Sequence, residues 1–133
     1  MNVKNLTISG LVGAIVNFLL GWLFYGTLLK DSFPQPEEST NNLILIFVSC
    51  LVFSLFIAYI YMQWAQIKTM ATGAKAGAII GLFLGLNYNI WAIIMENREM
   101  QVFLLDTALS VIMTAITGAA IGMMLGKLSN DSN

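Results

Sequence analysis

The twenty residues 76–95, AGAIIGLFLGLNYNIWAIIM, contain no charged side chain and decide the fold of this chain. At about 1.5 Å per residue, a helix of this length crosses the roughly 30 Å hydrocarbon core of a membrane. Comparable apolar segments occupy residues 6–29, 42–64 and 102–126, with short polar stretches between them. The sequence therefore predicts an all-α integral membrane protein, a single transmembrane domain over residues 1–133 folded as a four-helix bundle.

The composition also indicates that lipid is the natural solvent of the chain. Hydrophobic residues make up 58% of its 133 residues and charged residues 10%, whereas soluble domains carry about 25% charged residues. The chain has no His, a single Cys (Cys50) and a net charge of −1. These counts exclude imidazole catalysis and an internal disulfide, and they disfavour nucleic-acid binding. We expect no enzymatic activity, no cofactor and no metal site.

The positive charges predict the orientation in the membrane. With four spans, both termini and the second connection share one side. The lysines on that side are Lys4, Lys68, Lys75 and Lys127. Because the other side has only Lys30 and Arg98, the positive-inside rule places both termini in the cytoplasm. Aromatic side chains near the predicted helix ends are expected to anchor there. They are Trp22, Phe24 and Tyr25 in the first segment, Tyr59, Tyr61 and Trp64 in the second, and Trp91 in the third.

Small residues recur at every fourth position of three segments, in the GxxxG spacing of a glycine zipper. This spacing forms a ridge along a helix, and small side chains allow another backbone to approach closely. The ridges run through Ser9, Gly13, Asn17, Gly21 and Tyr25 in the first segment, Gly77, Gly81, Gly85 and Asn89 in the third, and Asp106, Ser110, Thr114, Gly118, Gly122 and Gly126 in the fourth. We expect the glycines among them to be helix-packing positions.

The first and third ridges correspond at a constant offset. Adding 64 to the number of Tyr25 gives Asn89, and residues 13–21, GAIVNFLLG, share five of nine identities with residues 77–85, GAIIGLFLG. A tandem duplication of a two-helix hairpin explains this match, with the halves related by a parallel pseudo-twofold axis. Chance similarity is the alternative, since membrane helices draw on few residue types.

Asp106 is the one acidic residue well inside a predicted span. Such a residue is by default a functional hypothesis, here a proton or cation site. The alternative is structural, because Asp106 lies near a helix end and can pair with Arg98. The candidate polar path comprises Asp106, Asn17, Asn89, Ser110 and Thr114. Asn87 is about 200° around the helix from Asn89, at about 100° per residue, and cannot share its face.

Two stretches resemble a known family. Residues 17–30, NFLLGWLFYGTLLK, resemble the N-terminal signature of the bacterial membrane family called domain of unknown function 1761. Residues 73–85, GAKAGAIIGLFLG, and 97–126, with Phe-Leu-Leu-Asp near their start, resemble its second half. The resemblance implies a four-helix protein of the bacterial inner membrane, and it implies no activity or catalytic residues.

Two functions remain open on the sequence. The first is a small structural or accessory membrane protein, acting as a homo-oligomer or as a subunit of a larger membrane complex, with membrane lipid around it. The second is a small transporter or channel whose polar path uses Asp106, Asn89 and Asn17.

Overall fold

A computed structural model describes residues 2–28, 31 and 39–131 of the chain, without the side chains of residues 130 and 131. The four helices are α1 (Val3–Leu23), α2 (Thr40–Ile60), α3 (Met70–Glu96) and α4 (Met100–Asp131). No strand occurs within these described ranges. All four helices, two of them with their continuations, are long and apolar enough to cross a membrane. The prediction of an all-α, four-helix integral membrane fold is therefore confirmed.

Polar side chains mark where three of the helices begin. The side chains of Asn2, Ser39 and Thr69 each accept a hydrogen bond from the backbone N–H three residues further on. These bonds measure 3.1 to 3.2 Å. Each bond satisfies one of the free N–H groups at the start of a helix, so these residues act as N-caps.

The predicted segment bounds differ from the helix bounds, chiefly on the lysine-rich side. α3 begins at Met70, before the predicted residue 76, and α4 continues past residue 126 to Asp131. The connection predicted at 65–75 is reduced to residues 66–69. Hydropathy reports only the apolar stretch, whereas the helix continues into the polar region until a cap ends it. Most of the predicted first connection, including Pro34, Pro36, Glu37 and Glu38, lies outside the described residues.

Two helices end in a wider turn. α1 continues into a π-helical turn at Phe24–Leu28, and α2 continues into another at Tyr61–Ala65. A π-turn adds a residue to the helical repeat and so changes the direction in which the following side chains point. Tyr25 and Tyr61, which both make contacts between helices, lie in these turns.

The packing centres on α4. α3 packs along α4, α1 packs against both α2 and α4, and the remaining helix pairs meet far less among the described residues. A parallel twofold axis would make the α2–α3 contact equivalent to the α1–α4 contact, so the packing of the two hairpins is asymmetric. The hairpin duplication itself stays a prediction about the sequence.

The glycines of α3 face the backbone of α4. A Cβ atom at Gly77 would collide with the Thr114 carbonyl oxygen, and one at Gly81 with that of Ser110. The same holds in the opposite direction at Gly118, where a Cβ would lie 2.5 Å from the Gly73 carbonyl oxygen. Only residues without a side chain allow this separation of the two helices.

The other predicted packing glycines differ in how closely they are approached. Additional Cβ atoms at Gly122 and Gly126 would collide with the carbonyl oxygens of Thr69 and Lys68, and one at Gly85 would lie 2.8 Å from Ser110 Cβ. On α1, a Cβ at Gly13 would lie 2.6 Å from Ile121 Cδ1. At Gly21 the nearest atom would be Met113 Cε at 3.9 Å, an ordinary contact. Gly21 therefore has room for a side chain.

The apolar core lies toward the lysine-rich end of the bundle. Its buried members are Ile57, Ala58, Tyr61, Ile67, Ile121 and Leu125. The Tyr61 hydroxyl, fully buried there, donates a hydrogen bond to the Gly73 carbonyl oxygen at 2.7 Å. This bond joins the end of α2 to the start of α3. The prediction that Tyr61 is an interfacial anchor is therefore wrong, because its ring is buried in the core.

Candidate functional site

Asp106, in the second turn of α4, is the centre of a buried polar network. Its residue surface is 6% exposed. Tyr25 Oη donates a hydrogen bond to Oδ1 at 2.6 Å, and Asn89 Nδ2 donates one to Oδ2 at 2.6 Å. Arg98 Nη1 lies 3.5 Å from the same Oδ2. Both carboxylate oxygens therefore have donors from within the chain.

The short connection between α3 and α4 places Arg98 in this network. Asn97 ends α3 in the left-handed conformation, with φ of 53°, a conformation that Asn tolerates better than most residues. Arg98 then extends back over the end of α3 and donates a hydrogen bond to Asn89 Oδ1 at 2.7 Å. Its guanidinium also lies 5.6 Å from the centre of the Tyr88 ring, in a cation–π contact. The Arg98 side chain is only 9% exposed.

Asn89 connects these groups and is completely buried. Its Nδ2 donates to Asp106 and also to the Gly85 carbonyl oxygen at 2.8 Å. Its Oδ1 accepts from Arg98. The amide therefore uses both its donor group and its acceptor, as a buried polar group requires.

The network joins the ends of three helices on the side opposite the lysine-rich loops. Tyr25 comes from the π-helical turn that continues α1, Asn89 from α3 and Asp106 from α4. Arg98 comes from the connection between α3 and α4. The contact of Asp106 with Arg98 expected under the structural alternative is present. Removing one partner of a buried ion pair leaves an uncompensated charge, which costs about 3 to 5 kcal/mol. Geometrically, the site is suited to hold helices together.

A separate cavity of about 250 Å³ lies next to the network. Its lining comes from all four helices and includes three residues of the predicted polar path, Asn17, Ser110 and Thr114. Tyr25 belongs both to this lining and to the Asp106 network. The other lining residues are Phe53, Gly81, Leu84, Gly85, Tyr88 and Met113. The predicted path is thus divided: three residues line the cavity, whereas Asp106 and Asn89 lie in the network.

The role of Tyr25 was not predicted, since we expected it to be an interfacial anchor. The internal repeat did not signal this contact. The offset of 64 that maps Tyr25 onto Asn89 maps Asn42 onto Asp106, so the repeat alone would pair Tyr25 with Asn42. Trp22 and Trp91, expected as anchors alongside it, are 62% and 57% exposed.

Side chains that could bind a metal ion are few among the residues that the structure describes. Among the described residues, no three His, Cys, Asp or Glu side chains are arranged to hold a metal ion. Cys50 is half-buried on α2. The expected absence of a metal site or cofactor stays a prediction.

Four membrane-length helices joined by short connections, with a polar network at one end, define a small multi-pass integral membrane protein. Residues 8–122 match the model of the family described as a protein of unknown function, DUF1761. The chain therefore belongs to that family, as the resemblance indicated. No curated protein and no solved structure matches it.

Proposed function

We propose that this protein is a small structural or accessory component of the bacterial inner membrane, acting as a homo-oligomer or as a subunit of a larger membrane complex. The observation that carries the proposal is the bonding of Asp106. Both oxygens of this membrane-embedded carboxylate accept donors from the protein's own helices. A carboxylate bonded in this way stabilises the bundle and presents no free group to a substrate.

The orientation belongs to the same proposal. Lys4, Lys68 and Lys127 lie at the bundle end that we assign to the cytoplasm, and Lys75 lies on the first turns of α3 beside them. The Asp106 network then lies toward the periplasmic face. A reporter protein that is active only in the cytoplasm is expected to be active when fused to the C-terminus. Activity of a fused reporter that works only in the periplasm would contradict the assignment.

The first experiment is to measure the native mass of the protein after gentle extraction from its own membrane, and to identify co-purifying proteins. We expect either a defined complex with another membrane protein or a homo-oligomer. A lone monomer under several mild extraction conditions would contradict the proposal.

A second function, a small transporter or channel, is supported by the cavity. Ser110 and Thr114 line it, and neither hydroxyl has a hydrogen-bond partner among the described residues. Unpaired hydroxyls beside a cavity provide hydrogen bonds for water or a small polar solute.

This second function is tested by solute flux in liposomes containing the purified protein. Ser110→Ala and Thr114→Val are expected to lower the flux, whereas Ile112→Val, at an exposed position on the same helix, is the matched control. Transport that persists in Asp106→Asn would exclude Asp106 as a proton site. Equal flux in protein-free liposomes would exclude transport altogether.

A further inference from the structure

Asn87 presents an amide on the lipid-facing side of α3. The residue is exposed, and its side chain has no hydrogen-bond partner within the described ranges. It lies nine residues before Glu96, or about 14 Å along the helix, and one turn deeper than Trp91. An asparagine side chain is too short to reach the interface from that depth. Because lipid tails offer no hydrogen bonds, an amide in this position requires a partner.

The residues around Asn87 form a regular exposed seam, which comprises Phe83, Asn87, Ile90 and Ile94. Their spacing of four, three and four residues is that of the contact positions in a pair of packed helices. Phe83 is 67% exposed, Ile90 is 50% exposed and Ile94 is 62% exposed. At about 100° per residue, the seam lies roughly opposite Gly81 and Gly85, which pack against α4. The seam is thus free to contact another molecule.

We propose that the seam binds the same seam of a second copy of this chain, with the two α3 helices parallel and the two Asn87 amides paired across a twofold axis. All copies insert in the same orientation, so the twofold axis runs along the membrane normal and brings equivalent residues together at one depth. An amide contains both a donor and an acceptor, so two of them complement each other directly. This inference rests on the proposed function and specifies its homo-oligomeric form.

A second copy is favoured over another occupant by this symmetry. A helix of a different protein would need a polar side chain at the depth of Asn87, whereas an identical copy supplies one automatically. A single Asn at a contact position also sets the register and the number of strands in paired helices. Phe83, Ile90 and Ile94 would provide the apolar contacts above and below it.

The first test is Asn87→Leu, measured as the dimer dissociation constant in bilayers by energy transfer between labelled copies. Interhelical amide bonds in membranes are of modest strength, so we expect dissociation to increase about tenfold. Asn87→Gln retains an amide and is expected to retain most of the association. Because Asn87 has no hydrogen-bond partner in the described part of the chain, Asn87→Leu should keep the monomer's thermal stability, which is measured alongside.

The second test uses cysteine cross-linking in native membranes, in a Cys50→Ala background that removes the single native thiol. Ile90→Cys, one turn from Asn87, is expected to give a disulfide-linked dimer on mild oxidation. Ile112→Cys, also exposed but on α4, is the matched control and should remain monomeric.

The outcomes separate this inference from the proposed function. A homo-oligomer that is unaffected by Asn87→Leu, or that cross-links equally through Ile112→Cys, overturns the seam while the accessory function stands. A complex made only with a different protein also overturns the seam alone. A protein that associates with nothing in its own membrane overturns both.

Discussion

Tyr25 and Asn89, separated by 64 residues in the sequence, donate hydrogen bonds to the two oxygens of one carboxylate, that of Asp106. They occupy equivalent positions on the ridges of α1 and α3, and both ridges turn toward α4. The internal similarity of the sequence therefore corresponds to a shared contact, although the packing of the two hairpins is asymmetric. Through Asp106 the network connects the continuation of α1 with α3, two helices that meet little elsewhere in the described part of the chain.

The Arg98–Asp106 pair should show strong energetic coupling. Arg98→Gln leaves the Asp106 carboxylate buried without its counter-charge and is expected to destabilise the protein by about 3 kcal/mol. Asp106→Asn leaves Arg98 with only the exposed Glu96 carboxylate, 3.8 Å away, and is expected to cost less. The double variant should lose clearly less free energy of unfolding than the two single variants lose together. Thermal unfolding of the four proteins in one mild detergent measures the coupling, and additive losses would show that the charges act independently.

The Tyr25 hydroxyl should contribute measurably to holding α1 against α4. Tyr25→Phe removes one hydrogen bond to a charged acceptor, which is worth about 1.5 to 3 kcal/mol. Tyr59→Phe is the matched control, since the Tyr59 ring packs edge-on against Trp64 and its hydroxyl makes no hydrogen bond among the described residues. Equal unfolding midpoints for the two variants would contradict a role for the Tyr25 bond.

Two glycine substitutions should differ in their effect on stability. Gly77→Ala places a methyl group against the Thr114 carbonyl, so α3 and α4 must separate, and we expect a loss of about 1 to 3 kcal/mol as in other overpacked sites. Gly21→Ala has room beside Met113, and because Ala favours helix more than Gly, we expect it to be neutral or stabilising. Thermal unfolding of both variants tests the difference. An unchanged unfolding midpoint for Gly77→Ala would show that the stability of the protein does not depend on the close contact of α3 with α4.

A larger side chain on the glycine ridge of α3 should destabilise the protein more than Gly77→Ala does. Gly81→Leu must fit an isobutyl group where even a Cβ would collide with the Ser110 carbonyl. We expect the folded protein to be lost from detergent extracts, as seen by size-exclusion chromatography. Gly26→Leu is the matched control, because a Cβ there would lie 3.7 Å from the nearest Trp22 atom. Folded Gly81→Leu in normal yield would contradict the packing.

The Tyr61 hydroxyl should stabilise the lysine-rich end. Tyr61→Phe removes the bond to the Gly73 carbonyl oxygen within a fully buried site, a loss of about 1 kcal/mol. Hydrogen exchange of backbone amides near Gly73 should increase while that near Asp106 stays constant. Unchanged exchange at both ends would argue against a local role for this bond.

The sequence by itself determined the number of spans and the packing ridges of α3 and α4, and it offered the pairing of Asp106 with Arg98 as one of two alternatives. Each of these depends on local properties: hydropathy over about 20 residues sets a membrane helix, small residues at every fourth position form a ridge, and Arg98 is eight residues from Asp106. The helix ends were less well predicted, because caps such as Thr69 extend the helices beyond the apolar stretch.

Only the tertiary structure decided which ridges meet. The Tyr25 bond to Asp106, the room beside Gly21, the asymmetric packing around α4 and the exposed amide of Asn87 all depend on how distant helices are placed. Helix periodicity assigns residues to faces but does not determine which helix covers each face. That choice is made by the packing of whole helices against one another, and no single segment of the sequence contains it.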